Sequence, residues 1–330
     1  MQQIVRAGLF PALSVAACVM LAGLSGTAAL AGPAKAKPPA DEFAIPDPLN
    51  ARDDVDTDSV FGFTDGSDTN EEGELQIDSI VVLRSGKRAV TLQDGTSGGK
   101  GGFTVTGVKA DAQYGVTDNF EVVLGVYGDL RNVRNVPDLA DKSNFVFDGA
   151  SVEMTYRLLA RTPENPVGIS VAVEPRWARV AEQEGSSQQS VSVETKLALD
   201  ARVIPGLLWY GLNFGFEPQV GRFRSGVVER ESRLSISNAL TMRVLDHTYL
   251  GIEGSYQRAY SGLFAQQLNG EAAFFGPTLF HQFSKKASLS LAWSTQVWGR
   301  QKNPAPLVAH NLDLWNFERH LLRAKLSFNF

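Results

Sequence analysis

The sequence predicts an all-β fold: a transmembrane antiparallel up-and-down β-barrel of about 12 strands, behind an N-terminal signal peptide and a short periplasmic tail. Three observations predict it. From Glu74 onward, apolar and polar residues alternate in segments of strand length. The joins between those segments are alternately short and long. The chain ends on an alternating segment whose last residue is Phe330.

The composition permits this reading. Hydrophobic residues make up 43% of the 330 and charged residues 20%, as in an ordinary globular protein. A spanning strand needs only about 9–11 residues, and half of them may be polar, so a barrel leaves little trace in average hydropathy. At the N-terminus, Arg6, the apolar run from Ala7 to Gly26 and the Ala29-Leu30-Ala31 cleavage site read as a signal peptide over residues 1–31. Cys18, the single cysteine, falls inside it, so the mature chain carries no disulfide. One of the 31 basic residues, Arg6, lies in this leader, leaving 30 against 36 acidic ones, a balance that gives no reason to expect nucleic acid as a partner.

Residues 32–73 read as a Pro- and Asp-rich periplasmic segment. Asp54, Asp56 and Asp58 have the opening spacing of a calcium loop, but Ser59 stands where the turn glycine belongs, so a solvated acidic run is expected. Phe61 to Asp68 reads as a turn-rich loop, although its two aromatics among small residues could dock somewhere specific, and the whole segment 32–73 could enter the barrel mouth and block it.

The barrel is assigned to residues 74–330, with strands at 74–84, 103–114, 120–130, 146–159, 167–179, 190–202, 207–220, 231–244, 249–260, 271–283, 288–299 and 314–330. The segment from Phe274 to Phe283 is the least regular, because both of its faces carry phenylalanine. Short joins such as Val203 to Gly206 and Ser284 to Ala287 are placed at the periplasmic end, and long joins such as Ser85 to Gly102 at the outer end. Trp209, Tyr249, Phe283 and Phe330 are expected at the periplasmic rim, and Trp177, Tyr260, Trp298, Trp315 and Phe317 at the outer rim.

The final stretch, with Leu322, Leu326, Phe328 and Phe330 at every second or fourth position, resembles the terminal signal strand of bacterial outer-membrane proteins. That resemblance implies outer-membrane lipid and the barrel-assembly machinery as partners. Over most of the mature chain the sequence also resembles a group of uncharacterised proteobacterial outer-membrane barrel proteins, porin-like or transporter-like. The likeness is carried by Phe61 to Asp68, Tyr114 to Asp118, Val173 to Trp177 and Asn316 to His320. It implies a fold and a place in the outer membrane, and no chemistry. A looser likeness, through the Tyr114–Asp118 turn, is to barrels assigned as transporters beside aromatic-degradation enzymes.

No catalytic set, metal-ligand spacing or cofactor motif can be assembled from the sequence. No two of His247, His281, His310 and His320 share a metal-ligand spacing, and His320, beside Glu318 and Arg319 near the outer end of the last strand, is the one to test. Function is therefore expected in the lumen. The inward candidates are Lys109, Asp111, Glu153, Arg157, Glu174, Arg176, Glu194, Lys196, Asp200, Glu217, Arg243, Glu253, Arg323 and Lys325. Three readings follow: a passive channel for small hydrophilic solutes, a non-conducting structural or surface-binding barrel, and, most distant, a lipid-directed enzyme.

Overall fold

The structure is a computed structural model, and it describes residues 55–87, 102–136, 139–162, 164–181, 186–302 and 311–330. The expected signal peptide with Cys18, and also Asp54 and His310, lie outside the described residues.

Twelve strands follow one another: β1 (Leu75–Ser85), β2 (Gly102–Thr117), β3 (Phe120–Arg134), β4 (Lys142–Leu159), β5 (Val167–Val180), β6 (Ser187–Ile204), β7 (Leu208–Phe223), β8 (Val228–Leu245), β9 (Thr248–Ser261), β10 (Gln267–Ser284), β11 (Ala287–Gln301) and β12 (His320–Asn329). One short helix, α1 (Thr57–Val60), precedes them. Each strand pairs antiparallel with its sequence neighbours, and β12 returns to pair with β1, so the barrel is closed. Closure leaves no strand edge unpaired. The β1–β12 seam runs from Gln76 opposite Asn329 to Ser85 opposite His320.

Short turns join the strands at one end of the barrel, here called the turn end, which also holds the start of β1 and the C-terminus. Gly206, with φ of 66°, supplies the left-handed residue in the turn between β6 and β7. Six strands, β3, β4, β6, β7, β8 and β10, run three or four residues past the expected limits at the other, loop end. β8, for example, begins at Val228 and runs through Glu229, Arg230 and Glu231. Alternation is lost there because both faces are polar, so the apolar pattern underestimates strand length.

The two faces of the wall are opposite in character. Large apolar side chains, including Leu124 and Val126 of β3, Val152 and Met154 of β4, Phe214 of β7, Ile252 of β9 and Leu291 and Trp293 of β11, are exposed on the outside. Polar and charged residues, including Asp78, Asp111, Gln113, Asp200, Glu253 and Lys325, are buried inside. Leu322, Leu326, Phe328 and Phe330 belong to the outer face of the closing strand, with Leu322 and Phe330 exposed.

Three expectations are corrected. The last strand begins at His320 and not at 314. Before it the chain turns: the Asp313 carboxylate accepts from the backbone N–H groups of Trp315 (3.2 Å) and Asn316 (3.0 Å), and the Phe317 N–H donates to the Asp313 carbonyl (3.3 Å). Phe317 is thereby sent into the lumen, where it meets Phe274 edge-on at 6.2 Å, and it is not a rim residue. Trp209 and Tyr249 likewise leave the rim. They point inward and pack edge-to-face at 5.4 Å.

Candidate functional site

The segment from Val55 to Gly73 enters the turn end of the barrel as a plug, with Val55 to Asp68 inside and Glu71 to Gly73 exposed at the rim. Gly73 turns it into β1: its φ of 84° is open to glycine at little cost, and its N–H donates to the Gly115 carbonyl (2.8 Å). The plug is held by an apolar anchor and a polar clamp. Val55, Val60 and Phe61 pack with Trp209, Ala239, Tyr249 and Phe280 from β7 to β10. Burying such an aromatic side chain contributes about 1.5–3 kcal/mol. Gly62 lets the backbone approach the wall, since a Cβ there would stand 2.5 Å from both Ala292 Cβ and a Glu253 oxygen.

The clamp satisfies the backbone polar groups of a segment that has little secondary structure of its own. Glu253 of β9 accepts from the N–H groups of Gly62 (3.1 Å), Phe63 (2.7 Å) and Thr64 (2.8 Å). Asn213 of β7 accepts from the Asp65 N–H (2.7 Å) and donates to its carbonyl (2.8 Å). Asp200 of β6 accepts from the Ser67 N–H and from the Thr57 hydroxyl (2.8 Å). Ser290 donates to the Phe61 carbonyl (3.0 Å), and Arg323 donates to that of Gly62.

Ion pairs complete the contact. Lys325 lies 3.1 Å from Asp58 of the plug and 3.6 Å from Asp78. Lys196 pairs with Asp65. Burial would raise the Asp65 carboxyl, but the Lys196 and Arg323 charges outweigh it and hold it at about 2. Arg161, in the turn after β4, reaches both Asp68 and Asp200. Arg157 lies 3.7 Å from Asp68. The expected solvated acidic run is therefore corrected: Asp58 is bound to the wall, and Asp56 caps α1 by accepting from the Asp58 N–H (3.0 Å). The expected turn-rich loop from Phe61 to Asp68 is the core of the plug.

Beyond the plug lies a cavity of about 360 Å³. It is lined by nine carboxylates (Asp58, Asp65, Asp68, Asp78, Asp111, Glu121, Glu153, Glu174 and Glu194) and four cationic side chains (Lys109, Lys196, Arg323 and Lys325). A second cavity of about 320 Å³ shares Lys109, Glu174 and Glu194 with it and adds Arg176, Glu217 and Arg233. Lys109 lies 3.0 Å from Asp111 and 3.6 Å from Glu174, and Tyr127 donates to Glu174 (2.6 Å). At the loop end, Phe317 sits on Ala272 and Phe274, and Phe103, Val105, Val133 and Val136 form a second inward apolar cluster.

The inward candidates thus divide by height. Lys109, Asp111, Glu153, Glu174, Arg176, Glu194, Lys196, Glu217, Arg323 and Lys325 line the two cavities. Asp200 and Glu253 grip the plug. Arg157 and Arg243 stand at the turn-end mouth, Arg157 donating to Asn119 (3.1 Å) and Arg243 lying 3.5 Å from Asp246. Sequence reasoning missed Arg161, because it sits in a turn, and Asn213 and Tyr127, because neutral side chains carry no charge signal. His320 faces outward and shares a hydrogen bond of 2.9 Å with Thr295. Among the described residues no group of three or more His, Cys, Asp or Glu could hold a metal ion.

The fold has solved counterparts. The barrel is similar to an outer membrane channel from Pseudomonas putida F1, with a TM-score of 0.54 and 12% identity over 80% of this chain and 98% of that one. Similarity to the NanC porin is weaker, with a TM-score of 0.45 and 8% identity over 76% of this chain and 98% of that one. No curated protein matches the chain. The profile of DUF6662, a family of unknown function, matches residues 53–330, so plug and barrel together define the matched region, and the chain belongs to that family.

Proposed function

We propose that this protein is an outer-membrane channel that passes small hydrophilic solutes through a charged lumen, and that the Val55–Gly73 plug closes its periplasmic mouth. The observation that carries the reading is the inverted wall: exposed leucine, valine, methionine and phenylalanine outside, buried charge inside. In water that arrangement exposes a continuous apolar surface with nothing to cover it. In a bilayer it places the apolar surface against lipid, and the charges around an aqueous space. A lumen of 12 strands is intermediate between small barrels filled by side chains and the wide general porins. The turn end faces the periplasm, where both termini of the barrel lie.

Excess carboxylate in the larger cavity favours cations, since a ring of one sign sets the field that a permeating ion meets.

Planar-bilayer recording of the refolded protein tests the proposal. The full chain is expected to conduct in small or infrequent steps, and a chain lacking residues 32–73 in larger, steadier ones. A second reading, a non-conducting structural barrel, is favoured by the inward Phe317 and by the clamped plug. Silence of both forms at high protein load would establish it.

A further inference from the structure

We propose that the outward-facing row formed by Arg258, Glu271 and Arg300 binds the phosphate of an anionic lipid headgroup at the loop-end rim of the barrel. The inference rests on the membrane-embedded reading above.

The register fixes the place. Glu271 of β10 lies opposite Arg258 of β9 and Arg300 of β11. Its neighbours Gly270 and Ala272 face the lumen: a Cβ on Gly270 would run into Asp313 and Asn316 inside, and Ala272 is fully buried with Phe274 and Phe317. Glu271 therefore points outward, and so do its two partners. One row nearer the barrel middle, Ala273 lies between Tyr256 and Trp298. Below them the wall carries the exposed Phe275 and Ile252. The order from the middle to the rim is thus purely apolar, then tyrosine and tryptophan, then charged. Aromatic residues mark the boundary of the hydrocarbon in such barrels, so the charged row stands at headgroup depth.

The chemistry of the row fits a phosphate. Glu271 is sealed, with its side chain 2% exposed, while those of Arg258 and Arg300 remain 41% and 55% exposed. The Nε of Arg300 donates to one carboxylate oxygen (2.9 Å) and the Nε of Arg258 to the other (3.1 Å). The Arg258 guanidinium also lies 5.4 Å from the centre of the Tyr256 ring. One arginine would neutralise Glu271. The second leaves a net positive charge, and the shared carboxylate fixes two planar forks side by side. Each guanidinium is tethered to Glu271 through its Nε, and Arg300 through one Nη as well, which leaves Nη–H donors on both for phosphate oxygens and less rotamer freedom to lose.

The full-length protein is reconstituted into phosphatidylcholine vesicles with and without phosphatidylglycerol, and lipids retained after gentle extraction are counted by native mass spectrometry. Wild type is expected to retain phosphatidylglycerol preferentially. In R258Q/E271Q/R300Q, which removes all three charges and keeps polar side chains, that preference should fall about tenfold, the size of one charged contact. Should the triple variant fail to fold, R300Q alone leaves a neutral Arg258–Glu271 pair and is expected to lose part of the preference. Equal retention by wild type and folded variant overturns the site. Displacement of the lipid by inorganic phosphate at equal concentration also overturns it, because the ligand would then be a free anion. A wild-type chain that does not float with either vesicle overturns the membrane reading itself, and a chain that inserts without lipid preference overturns only the site.

Discussion

Glu253 shows how one buried side chain can hold a segment with little regular structure. Its two oxygens take three consecutive backbone N–H groups, at Gly62, Phe63 and Thr64. Hydrogen bonds to a charged acceptor contribute about 1.5–3 kcal/mol each. Glu253→Ala is therefore expected to weaken plug docking by several kcal/mol while leaving the barrel closed. Limited proteolysis measures this: cleavage within residues 55–73 should become rapid, and the barrel fragment should stay resistant. Unchanged protection of the plug would show that the apolar anchor suffices. The sequence marked Glu253 as inward, because it falls on the polar face of β9. It gave no sign of what the residue grips, because backbone N–H groups are the same in every residue and leave no pattern.

At the scale of the strand, alternation was legible wherever one face meets an apolar surface and the other a wet one. β6 and β11 follow this rule, and β10 breaks it with phenylalanine on both faces. The structure supplies the reason. Phe275 and Phe283 face outward, whereas Phe280 packs on Tyr249 within the plug's apolar anchor and Phe274 receives Phe317. Inward phenylalanine thus marks a docking point, a signal that was present in the sequence and that parity alone could not explain. The two faces should also differ in their tolerance of charge. Leu291→Arg, on the outer face of β11, is expected to destabilise the barrel in lipid by about 2–4 kcal/mol. Ser290→Arg, its inward neighbour, should leave the barrel standing and disturb the Phe61 carbonyl that Ser290 holds. Denaturant unfolding in vesicles compares them, and equal losses would contradict the assigned faces.

For the whole molecule, the fold was legible from the sequence to the number of strands, because a closed up-and-down barrel repeats one rule a dozen times. The site was legible only in part. Inward charges could be named from parity, but their division into cavity lining, plug clamp and mouth depends on heights around a closed wall. The sign of the lumen follows from that division. Of the nine carboxylates at the larger cavity, Asp58, Asp65 and Asp68 leave with the plug, and six carboxylates of the wall remain against its four cations, so the open channel is expected to prefer cations. Reversal potentials across a salt gradient measure this in the plug-deleted form, and anion preference would show that the paired basic residues dominate the path.

The plug also touches the last strand made. Arg323 and Lys325 of β12 hold Gly62 and Asp58, residues that precede β1 in the chain. The first and last parts of the protein are thus stitched together twice, once by the ladder of the seam and once through the interior. A plug clamped to both β9 and β12 cannot reach its full set of contacts until the wall has come round to meet itself. The same bonds that stop the mouth thereby favour a finished cylinder over an unclosed sheet.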